Sequence, residues 1–141
     1  MLKSHIESIL VENLEHTPTG DQQEAISKLA SYVLENNNDN IFVLSGFAGT
    51  GKTTLIKALV KTLQSFKFRS VLLAPTGRAA KVLASYSGKE AFTIHKHIYR
   101  QKSSKDGMGM FSLDRNKLKE AFFIVDEKLT SVPLPLIIIA Y

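Results

Sequence analysis

IFVLSGFAGTGKTT, Ile41 to Thr54, decides how the rest of the chain is read. Its first residues, IFVLS, are apolar without alternation, the composition of a strand covered on both faces. Then come three glycines within six residues, Gly46, Gly49 and Gly51. So much backbone freedom is costly inside a helix or strand and marks a loop. From Lys52 to Leu63 the apolar residues Leu55, Ile56, Leu59, Val60 and Leu63 recur at helical spacing. A strand, a glycine loop and a helix in this order, with GFAGTGKT satisfying G-x-x-x-x-G-K-[ST], are the context a phosphate-binding loop requires.

The chemistry follows from the residue types. Glycines let the backbone curl so that successive N–H groups face inward. The unpaired N–H groups and positive dipole end of the following helix add to the pull on an anion. Lys52 reaches the β- and γ-phosphates and Thr53 offers its hydroxyl to Mg²⁺. The candidate nucleotide contacts are therefore Gly46, Ala48, Gly49, Thr50, Gly51, Lys52, Thr53 and Thr54. The expected ligand is a nucleoside triphosphate.

Outward from this segment, the chain alternates helices and strands. Ile6, Ile9, Leu10 and Leu14 form a helical stripe within Lys3 to Leu14, ended by TPTG. Asp21 to Leu34 is an amphipathic helix on Ala25, Ile26, Leu29, Ala30, Val33 and Leu34. Further strands are expected at Ser70 to Ala74 and Ala121 to Val125, and further helices at Gly77 to Tyr86 and Thr93 to Arg100. KSSKDGMGM, Lys102 to Met110, reads as an exposed loop. Apolar strands alternating with helices give an α/β fold with a parallel sheet and both faces covered.

Composition narrows the classes. The 141 residues suit one domain, and the hydrophobic and charged fractions of 44% and 22% suit a soluble globular one. The absence of cysteine excludes disulfides and thiolate metal sites. The start, MLKSHIESIL, lacks a signal-peptide core, and PLPLIIIAY is too short to span a membrane. The expected location is the cytoplasm, with no membrane partner. The net charge of +5 favours a polyanion. His95 and His97 have no cysteine or acid at ligand spacing, so they are not read as a metal site.

Two more segments carry chemistry. FFIVDE ends an apolar strand with Asp126 and Glu127. Ligands gather beyond the carboxyl ends of parallel strands. There Asp126 can hold Mg²⁺ through water while Glu127 polarises the water attacking the γ-phosphate. With Lys52, these are the candidate catalytic residues. In VLLAPTGRAAKVLA, Val71 to Ala84, a strand turns at Pro75 into a helix, which brings Thr76 and Arg78 to a helix start. A hydroxyl, a guanidinium and open N–H groups make an anion site there. FTIHKHIYR adds Thr93, His95, Lys96 and Arg100 nearby. Two such sites can follow a nucleic-acid backbone.

Taken together, these segments resemble the superfamily 1 DNA helicases of the RecD and Dda type. GFAGTGKT looks like their motif I, APTGRAAKVL like motif Ia, TIH like motif Ib and IVDE like motif II, so the resemblance covers about Thr17 to Glu127. It implies a RecA-like P-loop NTPase fold, a parallel sheet with helices on both faces, over residues 1–127. It also implies ATP and Mg²⁺ as cofactors, and ATP-driven movement on single-stranded DNA. Thr76, Arg78, Thr93 and His95 would touch or flank the strand. The local alternatives are an N-cap for Thr76, a surface ion pair for Arg78 and packing at the sheet edge for His95. DQQEAI resembles the family's Q motif, in which Gln22 reads adenine. Thr19 to Gln22 also spells a T-x-x-Q capping box, in which Gln22 bonds back to Thr19. Other subunits of a recombination or repair complex are a further partner that the resemblance implies.

The sequence departs from the family after Glu127. Lys128, Leu129 and Thr130 stand where Ala-Ser-Met is usual, and residues 128–141 read as a divergent apolar tail in which Pro133 and Pro135 oppose a helix. Motif III and the second RecA-like domain with its arginine finger do not follow. The chain alone is expected not to unwind DNA, and its tail to face a missing neighbour. Another P-loop ATPase, or a nucleotide-binding module without catalysis, is the alternative.

Overall fold

Helical spacing in the first third of the chain becomes two packed helices, α1 (Leu2–Leu14) and α2 (Gly20–Leu34). In the computed structural model, which describes residues 1–35, 40–45, 51–102, 110–113, 121–126 and 136–140, they precede strand β1 (Ile41–Leu44) and helix α3 (Lys52–Ser65). There follow β2 (Arg69–Ala74), α4 (Gly77–Ser87), β3 (Ala91–Thr93), α5 (Ile94–Ile98), β4 (Tyr99–Lys102), β5 (Met110–Leu113), β6 (Ala121–Asp126) and β7 (Leu136–Ala140).

Five strands form one sheet in the order β1-β7-β6-β2-β3, and β4 and β5 pair as a separate antiparallel hairpin. β2 is parallel to both β6 and β3. β7 is antiparallel to β1 and to β6, and two reversals leave β1 running with β6. The carboxyl ends of β1, β6, β2 and β3 therefore share one edge. This is the α/β, RecA-like arrangement expected from the alternation of elements.

One face of the sheet carries the core. Leu72 and Ala74 of β2 and Phe122 and Ile124 of β6 join a single buried cluster with Ile6, Leu10 and Leu14 of α1, Ile26 and Leu29 of α2, Leu55, Ile56, Leu59 and Leu63 of α3, and Leu83 of α4. Each large aliphatic side chain so buried contributes roughly 1.5–3 kcal/mol. Asn13 of α1 donates to the buried Thr62 hydroxyl of α3 at 3.1 Å. Lys89 fixes the α4–β3 connection by donating to the Ser70 carbonyl and hydroxyl at 2.6 and 2.7 Å, and burial pushes its ammonium below the usual lysine range.

Among the described residues, the other face carries less cover than the core face. Leu73 and Val125 are buried there, and His97 of α5 meets Phe123 edge-on at a centroid distance of 5.7 Å. At β1, however, Ile41 and Val43 are 59% and 54% exposed, because they point away from Phe42 and Leu44, which pack on the core. Among the described residues, α5 is the helical cover of this face.

Two further elements differ from expectation. The helix expected over Thr93 to Arg100 ends at Ile98, and Tyr99 opens β4 instead. Leu136–Ala140, expected within a tail facing a missing neighbour, forms β7 in the sheet and pairs with β1 and β6 on its two edges. Three successive isoleucines, Ile137 to Ile139, favour extended backbone. A slot between two strands satisfies their N–H and C=O groups on both sides.

Candidate nucleotide and nucleic-acid site

The site is built at the edge where β1, β6, β2 and β3 end. Gly51 is the N-cap of α3, in the left-handed region at φ 83°. Lys52, Thr53 and Thr54 form the first turn, the position whose N–H groups lack partners within the helix. Gly51 O accepts the Leu55 N–H at 3.0 Å and the Thr54 hydroxyl at 2.8 Å. Lys52 and Thr53 are half-buried and Thr54 is exposed. Gly46, Ala48, Gly49 and Thr50 lie outside the described residues, as does Glu127.

Asp126 ends β6 on the same edge. Its carboxylate accepts a hydrogen bond of 2.5 Å from the Tyr86 hydroxyl of α4. Burial first, and then the carboxylate, push the ionisation of Tyr86 above the usual tyrosine range, so it remains a neutral donor. No sequence pattern pointed to Tyr86, which lies 40 residues from its partner and ends an alanine-rich helix. The carboxylate of Asp126 and the hydroxyl of Thr53 are hard oxygen donors of the kind that suits Mg²⁺. Among the described residues, no cluster of three or more histidines or acids could hold a metal ion.

Thr76 and Thr93 occupy equivalent places on neighbouring strands. β2 ends at Ala74, which pairs with Thr93 at the end of β3. Thr76 is the N-cap of α4, and its hydroxyl accepts the Ala79 N–H at 3.1 Å. The Thr93 hydroxyl accepts the Lys96 N–H, also at 3.1 Å, at the start of α5. The local alternative, an N-cap at Thr76, is thus present. It does not exhaust the hydroxyl, which keeps its own O–H to donate outward. Thr76, Arg78, His95 and Lys96 are exposed along this edge, and Thr93 is half-buried.

Gln22 takes the capping-box arrangement. Its side-chain oxygen accepts the Thr19 N–H at 3.1 Å and its own N–H donates to the Thr19 hydroxyl at 3.3 Å. The side chain is buried, and its amide nitrogen lies against Gly51.

A family model of the AAA domain matches residues 22–136. The chain belongs to this AAA domain family. Relatives of this AAA domain carry the resemblance its motifs suggest. It is 51% identical over 53 residues to the ATP-dependent DNA helicase dda of Enterobacteria phage T4, covering 37% of this chain and 12% of the relative. It is 32% identical over 110 residues to the ATP-dependent RecD2 DNA helicase of Deinococcus radiodurans, covering 76% of this chain and 13% of the relative. An uncharacterized protein of Methanocaldococcus jannaschii is 27% identical over 121 residues, 79% of this chain and 10% of that protein. The AAA domain thus spans about a tenth of the length of each relative. No solved structure matches it significantly. No helix among the described residues is long and apolar enough to cross a membrane.

Proposed function

We propose that this AAA domain is the ATP-binding N-terminal motor domain of an ATP-dependent DNA helicase of the RecD type. ATP·Mg²⁺ binds at the start of α3: the loop from Gly46 to Gly51 and the N–H groups of Lys52, Thr53 and Thr54 hold the phosphates, and Lys52 adds its charge. Thr53 would hold Mg²⁺ through its hydroxyl, and Asp126 would hold it through water. The ion supplies charge neutralisation at the phosphates when bound. Glu127 orients the attacking water. Thr76, Arg78, Thr93 and His95 face single-stranded DNA. Movement along DNA, and any partner subunits of a repair or recombination complex, belong to the longer protein, in the cytoplasm.

The observation that carries this reading is the shared edge. The first turn of α3, the Asp126 carboxylate and the threonine-capped starts of α4 and α5 all follow the carboxyl ends of strands running in one direction. Such an edge supports a nucleotide beside an extended polyanion. The relatives named as ATP-dependent DNA helicases support the same assignment.

The test is binding of a fluorescent ATP analogue with Mg²⁺ to the wild type and to Lys52→Ala, with and without a single-stranded oligonucleotide at low salt. Loss of binding in Lys52→Ala, and coupling to the oligonucleotide in the wild type, are the expected results. Binding that needs Lys52 but ignores the oligonucleotide would instead favour another P-loop ATPase or a nucleotide-binding module without catalysis.

A further inference from the structure

Strand alternation puts Asp126 on the core face of the sheet. Phe122 and Ile124 of β6 join the buried cluster there, and Asp126 follows them with the same period of two. Its half-buried carboxylate therefore lies on the face that carries α3 and α4, where β6 ends. Tyr86 comes from the last turn of α4, with its side chain packed against the same cluster. The helix that presents it is anchored by Ala80, Leu83 and Ser87, all buried, so the tyrosine stands on a fixed element rather than a loop. Its hydroxyl donates to Oδ2 of Asp126 at 2.5 Å, the length of a bond to a charged acceptor. A carboxylate has two accepting oxygens, and this bond engages one of them.

We propose that Tyr86 is a positioning residue for the candidate Mg²⁺ carboxylate. It holds Asp126 by Oδ2 and leaves the other oxygen to accept from a metal-bound water. Carboxylates that serve a metal are oriented in this way by hydrogen bonds from groups behind them. The orientation is fixed before the ion arrives, so less side-chain freedom is lost on binding. The contribution of Tyr86 then falls on the ion and not on the phosphates, which the start of α3 holds. The inference rests on the proposal that Thr53 and Asp126 hold Mg²⁺ beside a nucleotide.

The experiment measures the affinity for a fluorescent ATP analogue in excess Mg²⁺ and again in EDTA, well below the unfolding temperature. The readout is the ratio of the two affinities. Partial unfolding scales both alike and leaves the ratio unchanged, which separates positioning from a merely structural role. Wild type, Tyr86→Phe, Asp126→Asn, the double variant and Lys52→Ala are compared. Tyr86→Phe is expected to keep the affinity in EDTA and to lower the ratio about tenfold. Asp126→Asn is expected to lower it at least as far. Adding Tyr86→Phe to Asp126→Asn should then change nothing more, because the hydroxyl acts through the carboxylate. A ratio unchanged in Tyr86→Phe but lowered in Asp126→Asn would overturn the inference and reduce the tyrosine to packing. A raised ratio in Tyr86→Phe would overturn it as well, since the hydroxyl would then compete with the ion. Independent losses that add in the double variant would show that Tyr86 does not act through Asp126. A ratio unchanged in Asp126→Asn would overturn the metal assignment, and undiminished binding in Lys52→Ala the nucleotide site itself, and the inference with either.

Discussion

The Tyr86 hydroxyl donates to the Asp126 carboxylate at 2.5 Å, joining the last turn of α4 to the end of β6. The same helix begins at Thr76, so one rigid element touches both the candidate DNA edge and the candidate metal carboxylate. Tyr86→Phe removes a hydrogen bond to a charged group that water can partly replace, and should cost about 1 kcal/mol in urea unfolding. The bond also has a pH signature. Tyr86 ionises less readily when folded, so its contribution is complete below the ordinary tyrosine value near 10 and is lost as pH rises through its higher folded value. The stability gap between wild type and Tyr86→Phe should therefore narrow above about pH 10. A gap that stays constant would show that the hydroxyl titrates normally.

Thr76 offers a separation of folding from binding. Its oxygen caps α4 by accepting from Ala79, and its proton is left to donate outward. Thr76→Ala should lose about 1 kcal/mol of stability. Thr76→Asp keeps a capping acceptor but has no proton to donate and adds negative charge. Its stability should stay within about 0.5 kcal/mol of wild type. Its affinity for single-stranded DNA at low salt should fall more than about tenfold. Undiminished DNA affinity in Thr76→Asp would confine the residue to capping.

Lys67 ends α3 in a conformation better suited to glycine. It sits at φ 59°, its N–H bonds to the Gln64 carbonyl at 3.0 Å, and the Phe68 N–H bonds to the Leu63 carbonyl at 2.9 Å. This pair of bonds is the Schellman ending, in which glycine usually takes the left-handed position. The left-handed conformation costs a side-chain-bearing residue about 1–2 kcal/mol, and glycine's extra chain entropy takes back about half. Lys67→Gly should stabilise the domain by about 0.5–1 kcal/mol, read as a higher urea midpoint with an unchanged slope.

Two isoleucines in strands should respond differently to the same change. Ile124 of β6 is fully buried in the core cluster shared with the helices, whereas Ile41 is 59% exposed on β1. Ile124→Val should cost about 0.5–1.5 kcal/mol, and Ile41→Val close to nothing, by thermal or urea unfolding. Equal costs would mean that the face of β1 carrying Ile41 is covered in solution.

The sequence by itself determined the elements and the chemistry that their order implies. Helical spacing located α1 to α4, and unbroken apolar runs beside a recognisable motif or turn located β1, β2 and β6, each to within a residue or two. GFAGTGKT, APTGRAAKVL, TIH and IVDE could be read because their chemistry depends on residues close together in the chain. The short strand β3, the hairpin β4–β5 and the strand β7 were not legible. Three to five residues carry too little periodicity, and their strand character comes from pairing partners distant in sequence.

Only the tertiary structure decided which groups meet. It set the capping box of Gln22 against Gly51, gave Asp126 a donor in Tyr86, and aligned Thr93 beside the end of β2. These contacts follow from strand register and helix packing, and a local pattern of residues cannot encode the distance between segments that fold together from afar.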